Sequence, residues 1–326
     1  MAYFQSIILG IIQGTTEFLP ISSSAHLVLV PWIFGWDYNG LGFDTALHFG
    51  TAIAIVVFFW RDWVSIIARA ISLGNTVTRD PLSEKTENGK RKTENNKFDY
   101  PSNLLWQILI ASIPAAIAGY FLSDYVETYL HSPILLAINL AVFGIILWLV
   151  DKWANQKSLG RHCEKSSTRQ SNLSVIPAKA GIHNRLPRPG GLAMAENNRD
   201  LALNKINYSQ SFIVGLAQTL ALVPGVSRSG ITMTAGRSLG MSRENSARFS
   251  FLLSTPAIIG AFLFEARKVD WTATSFSFWL AIIVTVIVGL LTIKYLLKYL
   301  QRGSFAIFTI YRIALAIIIV VLFLTR

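Results

Sequence analysis

The chain has 326 residues, 52% of them hydrophobic and only 14% charged, against about a quarter charged in soluble proteins. That composition excludes a disordered chain, a collagen and a disulfide scaffold, and argues against a soluble globular enzyme. The net charge of +11 is confined to particular segments: residues 1–60 hold no Lys or Arg, whereas eight of the 29 lie in 61–103 and ten in 151–205. Clustering in polar segments between apolar runs is the pattern of cytoplasmic loops. Nucleic-acid binding, which wants a basic stripe on a folded surface, is therefore not expected. The single cysteine, Cys163, rules out an intrachain disulfide. No basic region precedes the first apolar run, so the N-terminus does not read as a cleaved signal peptide.

In chain order, residues 4–36 are apolar but interrupted by Pro20, three consecutive serines, His26 and Pro31. They cannot make one clean helix. Broken backbone at membrane depth is tolerated only when buried in protein or lining a wet cavity, so this stretch reads as a re-entrant helix–turn–helix. A span is expected over 46–60, and two more over 104–122 and 134–150. A second broken segment covers 208–236, with Pro224, Gly225 and Arg228 at its centre. Spans over 249–264, 276–293 and 305–324 follow. The last carries Arg312, which the bilayer core tolerates only if it faces protein or water. The expected fold is an all-α polytopic integral membrane protein with six transmembrane helices and two re-entrant segments.

Charge sets the orientation. With 61–103 and 151–205 inside, the turn 123–133, which holds Asp124 and Glu127 and no Lys or Arg, lies outside. Lys294, Lys298 and Arg302 fall inside, and Arg267 and Lys268 are a mild misfit near an outside turn. The halves also repeat. A shift of 205 residues lays Gly10 on Gly215, Gln13 on Gln218, Ser22 on Ser227 and Ser24 on Ser229. Each half is one broken segment plus three spans, an odd number, so the second half is expected inverted; in such architectures the broken helices mark the site. One membrane domain results, with repeats over 1–150 and 206–326 and an inside insert over 151–205. The stretches 74–103 and 154–204 read as polar loops without helical periodicity. His162, Cys163 and His183 in the latter fit no zinc spacing.

The chemistry concentrates in the two breaks. QGTTEFLPISSSAH, from Gln13 to His26, places Gln13 and Glu17 on one helix face, since residues four apart are neighbours. Pro20 ends that helix, and Ser22, Ser23 and Ser24 begin the next, with His26 in its first turn. An intramembrane carboxylate costs about 2.5 kcal/mol or more unless paired, and Arg228 is the candidate partner. PGVSRSGIT, from Pro224 to Thr232, opens a second helix on Ser227, Arg228 and Ser229. Helix N-termini bind anions, and arginine binds phosphate bidentately and stays charged when buried. No lysine follows the glycines, so this is not a P-loop. Facing each other, the segments offer a site for a phosphate or diphosphate whose remainder lies in lipid. A transporter or lipid flippase fits the same architecture; the dense cluster of nucleophile and base favours chemistry.

These two motifs resemble the signatures of the undecaprenyl-diphosphate phosphatases, the bacitracin-resistance membrane phosphatases. FDTALHFGTAIAIVVFFWRDW (43–63) and ARFSFLLSTPAIIGA (247–261) are similar to the family's flanking segments. The resemblance runs from about residue 3 to 324, outside the two polar loops. It implies hydrolysis of a C55 polyprenyl diphosphate lipid to the monophosphate, recycling the carrier for cell-wall peptidoglycan synthesis. It also implies a multi-pass enzyme of the bacterial inner membrane, an outward-opening site and a divalent cation, Mg²⁺ or Ca²⁺. Glu17 is then the metal ligand and Gln13 a permitted variant of the family's first acid, which leaves the metal's second ligand open. A homodimer is compatible with the sequence. On this reading Arg228 clamps the phosphates and Ser23 is the favoured nucleophile. His26 serves as general base or acid. Gln13, Ser22, Ser24, Ser227, Ser229 and Thr232 surround the substrate. Attack by His26 or by a metal-bound water stays open.

Overall fold

A computed structural model describes residues 3–37, 41–71, 100–129, 132–173, 203–267 and 276–325. Every regular element among them is helical: α1 (Tyr3–Thr16), α2 (Ser23–Phe34), α3 (Leu41–Phe58), α4 (Trp60–Ile71), α5 (Leu104–Tyr129), α6 (Pro133–Leu173), α7 (Tyr208–Thr219), α8 (Arg228–Ser238), α9 (Arg243–Glu265), α10 (Phe276–Leu300) and α11 (Ala306–Thr325), with single 3₁₀ turns at Leu203–Lys205 and Leu220–Leu222. Helices α5, α6, α9, α10 and α11 are long and apolar enough to cross a membrane, and α3 with α4 makes a sixth span when the bent pair is counted as one. The chain is an all-α polytopic membrane protein, as its composition requires.

Three boundaries differ from the sequence reading. Residues 61–71 are helical: α3 turns by 72° into α4. Phe59 is buried at the corner, and the following segment is pinned where Arg69 donates to the Tyr100 carbonyl (2.7 Å) and the Tyr100 hydroxyl to Asp62 (3.1 Å). Second, α5 runs on to Tyr129, which shortens the turn placed at 123–133. Third, α6 continues through residue 150 and on to Leu173, so the first part of the insert is helix rather than loop. Its Gln, Lys, Leu, Arg and Glu are good helix formers, and a rule that looks for apolar periodicity passes over a polar sequence. Residues 174–202, with His183, and 72–99 lie outside the described residues.

Small residues let the helices close up. A Cβ on Gly10 would stand 2.7 Å from the Ala281 carbonyl, and one on Gly14 2.8 Å from that of Thr285. The Gly10–Gly14 stripe therefore seats α1 directly on α10, as small residues four apart do in membrane helix pairs. Gly215 of α7 does the same on α5, where a Cβ would overlap the backbone of Ala111. Each broken segment thus packs on a span from the other half of the chain, α1 on α10 and α7 on α5. Helices α6 and α11 pack on each other, and α2 settles on both through Ala25, Leu29, Leu136, Leu140 and Ala316. The two breaks meet in the middle of this frame.

Candidate active site

The breaks share an unusual backbone. Ser22 and Ser227 are the only non-glycine residues with positive φ among those described, at 73° and 74°. They stand 205 positions apart, and each is the N-cap of its following helix. A left-handed serine costs on the order of 1–3 kcal/mol, and such strain persists only where the surroundings enforce it. In each segment the cap hydroxyl lies 3.3 Å from that of the serine two residues on, Ser24 in one and Ser229 in the other. Ser227 also accepts the Gly230 N–H at 3.1 Å. The segments touch directly where Ser229 Oγ donates to the Leu19 carbonyl at 3.0 Å.

Glu17 is the centre of the site. Its carboxylate is 8% exposed and divides its oxygens between two tasks. Oε1 pairs with the Arg228 guanidinium at 2.5 Å. Oε2 accepts from Ser23 Oγ at 2.6 Å and from Gln13 Nε2 at 3.2 Å. His48 Nδ1 stands 3.2 Å from the same oxygen and 2.8 Å from Gln13 Nε2. With a proton on Nδ1 the imidazole pairs with the carboxylate; without one it accepts from the amide. A small cavity opens beside this cluster, lined by Glu17, Phe18, Arg228, Ser229, Ser250, Phe251 and Ser254. Arg228 and the three serine hydroxyls in that lining suit a small anionic group.

Of the residues singled out from sequence, Gln13, Glu17, Ser23 and Arg228 form one hydrogen-bonded group, and Ser229 joins Glu17 and Arg228 in lining the cavity. Thr232 turns back into its own helix, to the Arg228 carbonyl (2.7 Å) and to Ser250 Oγ (2.6 Å), so it braces Arg228 from behind. Ser24 is exposed.

His26 is placed differently from the expectation. Its Nδ1 lies 2.7 Å from the Ser22 carbonyl, and its Nε2 lies 2.7 Å from the Tyr311 hydroxyl, with the two rings stacked. A carbonyl can only accept, so Nδ1 carries a proton and Nε2 faces the tyrosine. Both nitrogens are engaged away from Ser23, and the oxygen within reach of the serine proton belongs to Glu17. Serine and histidine three apart do share a helix face. Here, however, His26 folds back along the helix start to hold the strained cap, a satisfaction of backbone that spacing alone does not reveal.

Sequence reasoning passed over His48, Tyr311, Ser250 and Ser254. His48 was within reach: an ionisable side chain inside an apolar helix is a site candidate by default. Its partners are remote in sequence, however, and nothing in the local pattern marks them.

The donor set also bears on a cation. Among the described residues no three His, Cys, Asp or Glu side chains cluster for a metal. Next to Glu17, though, the amide oxygen of Gln13 is buried with no hydrogen-bond partner. An unpartnered buried acceptor beside a carboxylate fits Mg²⁺, which commonly takes one or two carboxylates and completes its shell with water and substrate phosphate.

Comparison with known proteins shows the family. The profile of the family described as bacitracin resistance protein BacA matches residues 6–318. An undecaprenyl-diphosphatase of Pelotomaculum thermopropionicum is 39% identical over 326 residues, covering 100% of this chain and 98% of the relative. Those of Desulforudis audaxviator and Moorella thermoacetica are each 38% identical, covering 99% and 100% of this chain and 98% and 100% of their own lengths.

Proposed function

The chain belongs to the bacitracin resistance protein BacA family, and from that membership we infer that it hydrolyses undecaprenyl diphosphate to undecaprenyl phosphate and inorganic phosphate within the membrane. The observation that carries the chemistry is the divided carboxylate of Glu17: one oxygen on Arg228, the other 2.6 Å from Ser23 Oγ. That arrangement holds a phosphate-binding cation, a nucleophile and a proton acceptor in one hydrogen-bonded group beside a small cavity.

In our reading the terminal phosphate enters against Arg228, and the N-termini of α2 and α8 add their partial positive charge. Ser23 Oγ attacks the terminal phosphorus while its proton passes to Glu17 Oε2. Phosphoryl transfer proceeds through a loose transition state, in which bond formation to the nucleophile is slight. A carboxylate paired with arginine is therefore an adequate acceptor. The bond to the bridging oxygen breaks, and the lipid monophosphate departs as an anion that needs no acid. Water then attacks phosphoserine, and Ser23 recovers its proton from Glu17. Arg228 and the fixed N–H groups are aimed at the charge that spreads over the phosphoryl oxygens, the kind of preorganised stabilisation worth about 2.7–4 kcal/mol per donor. His26, held by Tyr311 and the Ser22 carbonyl, keeps the α2 start in shape rather than taking the proton.

A divalent cation, Mg²⁺ or Ca²⁺, fits Glu17 and the Gln13 amide oxygen, and when bound would neutralise diphosphate charge. The charge pattern of the loops supports placement in the cytoplasmic membrane with the cavity opening to its outer face. The test is phosphate release from a C55 diphosphate by purified protein in detergent. We expect equimolar phosphate and lipid monophosphate, suppressed by EDTA and restored by Mg²⁺. Absence of release by folded protein under every metal condition would overturn the reading.

A further inference from the structure

Arg312 lies in the middle of α11, in the apolar run AIFTIYRIALAIIIVVLFLT, and is 0% exposed. A buried guanidinium in a membrane helix pairs with a carboxylate or with backbone carbonyls. This one gives all its hydrogen bonds to main-chain carbonyls. Nε donates to Leu140 (2.9 Å). Nη1 donates to Pro20 (3.3 Å), and Nη2 is shared among Asn139 (3.3 Å), Gly225 (2.8 Å) and Val226 (3.1 Å). Three of these carbonyls belong to the breaks. Pro20 stands two residues before the Ser22 cap, and Gly225 and Val226 stand two and one before the Ser227 cap. Pro20 and Gly225 are also 205 apart, so one guanidinium grips the equivalent carbonyl of both segments.

The physical need is plain. Breaking a helix at membrane depth frees carbonyls that no water can satisfy, and the lead-in to each cap must still be fixed or the strained serine relaxes. Asn139 helps from α6, donating to the Pro224 carbonyl at 2.9 Å. Among the described residues outside the breaks, Arg312 donates to carbonyls of both. We propose that Arg312 is the positioning residue that holds the two helix starts in mutual register, and so sets Glu17 against Arg228 and Ser23. It touches no reacting atom. The proposal rests on the reading of the Glu17–Arg228 cavity as the catalytic one.

Two variants test it. Arg312→Lys keeps the charge but replaces a five-donor fork by one point with three donors, which cannot span both breaks. Gly144→Ala presses from the far side: a Cβ there would stand 3.3 Å from Arg312 Cβ and 3.4 Å from its Nε. It removes no bond and raises helix propensity. Phosphate release should be measured as kcat and KM, beside the thermal midpoint in detergent and an Arg228→Ala control. We expect Arg312→Lys to lower kcat at least about tenfold with KM within about threefold, the mark of lost preorganisation rather than lost binding. Gly144→Ala should lower kcat about three- to tenfold with a midpoint equal to or above wild type. If Arg312→Lys does not fold, Gly144→Ala decides alone. Wild-type kcat in Gly144→Ala, or in folded Arg312→Lys, while Arg228→Ala is inactive, overturns the positioning role. Full activity in Arg228→Ala overturns the cavity reading itself.

Discussion

Replacing Arg228 by alanine should damage stability and catalysis separately, and a second substitution should tell the two apart. Glu17 is 8% exposed and its carboxylate relies on Arg228 at 2.5 Å. Removing one partner of a buried ion pair costs about 3–5 kcal/mol, because the other charge is left uncompensated. The Arg228 side chain is 24% exposed, so the lower end, about 3 kcal/mol, applies. Catalysis should fall by at least about a hundredfold, roughly 3 kcal/mol, the loss seen when one preorganised donor is removed. Adding Glu17→Gln to Arg228→Ala removes the orphaned charge. The double variant should therefore recover most of the lost stability and none of the activity. Denaturant or thermal unfolding in detergent, run beside phosphate release on the same preparations, measures both. Activity within tenfold of wild type in folded Arg228→Ala would refute the phosphate clamp. A double variant no more stable than the single one would refute the ion-pair reasoning.

His26→Ala should lower turnover by about ten- to a hundredfold through the loosened Ser22 cap and still form a phosphoenzyme, whereas Tyr311→Phe, which removes only the hydroxyl on Nε2, should cost less than about tenfold; a folded His26→Ala protein with neither turnover nor phosphoenzyme would return the base role to histidine. Deleting residues 174–202 and joining the ends with a short Gly/Ser linker should leave kcat within about twofold, since loop length costs little stability and no described site residue lies there; loss of turnover in a folded deletion would contradict this. At the edge of the membrane domain, burial pushes the Tyr100 hydroxyl above its ordinary range, with the neighbouring Asp62 charge adding to the shift. The raised value means that the tyrosine's contribution is complete below the ordinary value of about 10 and is lost as pH climbs from there towards the folded-state value. Tyr100→Phe should flatten that alkaline decline, and an unchanged profile would remove Tyr100 as its source.

What could be read from the chain follows from which interactions are local. Pro20 and Pro224–Gly225 announce their breaks because proline and glycine act on the backbone where they stand. The pairing of Glu17 with Arg228 was also legible, since a carboxylate and a guanidinium in two otherwise apolar segments need each other. The direction of His26 was not: its alternatives, Ser23 or the Ser22 carbonyl, lie equally close in sequence, and Tyr311, 285 residues away, decides between them. Arg312 was recognisable as a buried charge, but its partners are carbonyls, which carry no residue signature. The extension of α6 to Leu173 was missed because its polar sequence carries no apolar stripe to find.

The central claim is that Ser23, with its proton held by Glu17, takes the phosphoryl group. It is tested most directly by acid-quenching the purified protein during turnover of a C55 diphosphate labelled in its terminal phosphate, and locating the label by peptide mapping. The account predicts acid-stable, alkali-labile phosphate on the peptide carrying Ser23, absent in Ser23→Ala. Acid-labile phosphate on His26 would contradict it. So would substantial turnover by Ser23→Ala with no phosphoenzyme at all, which would shift the attack to water.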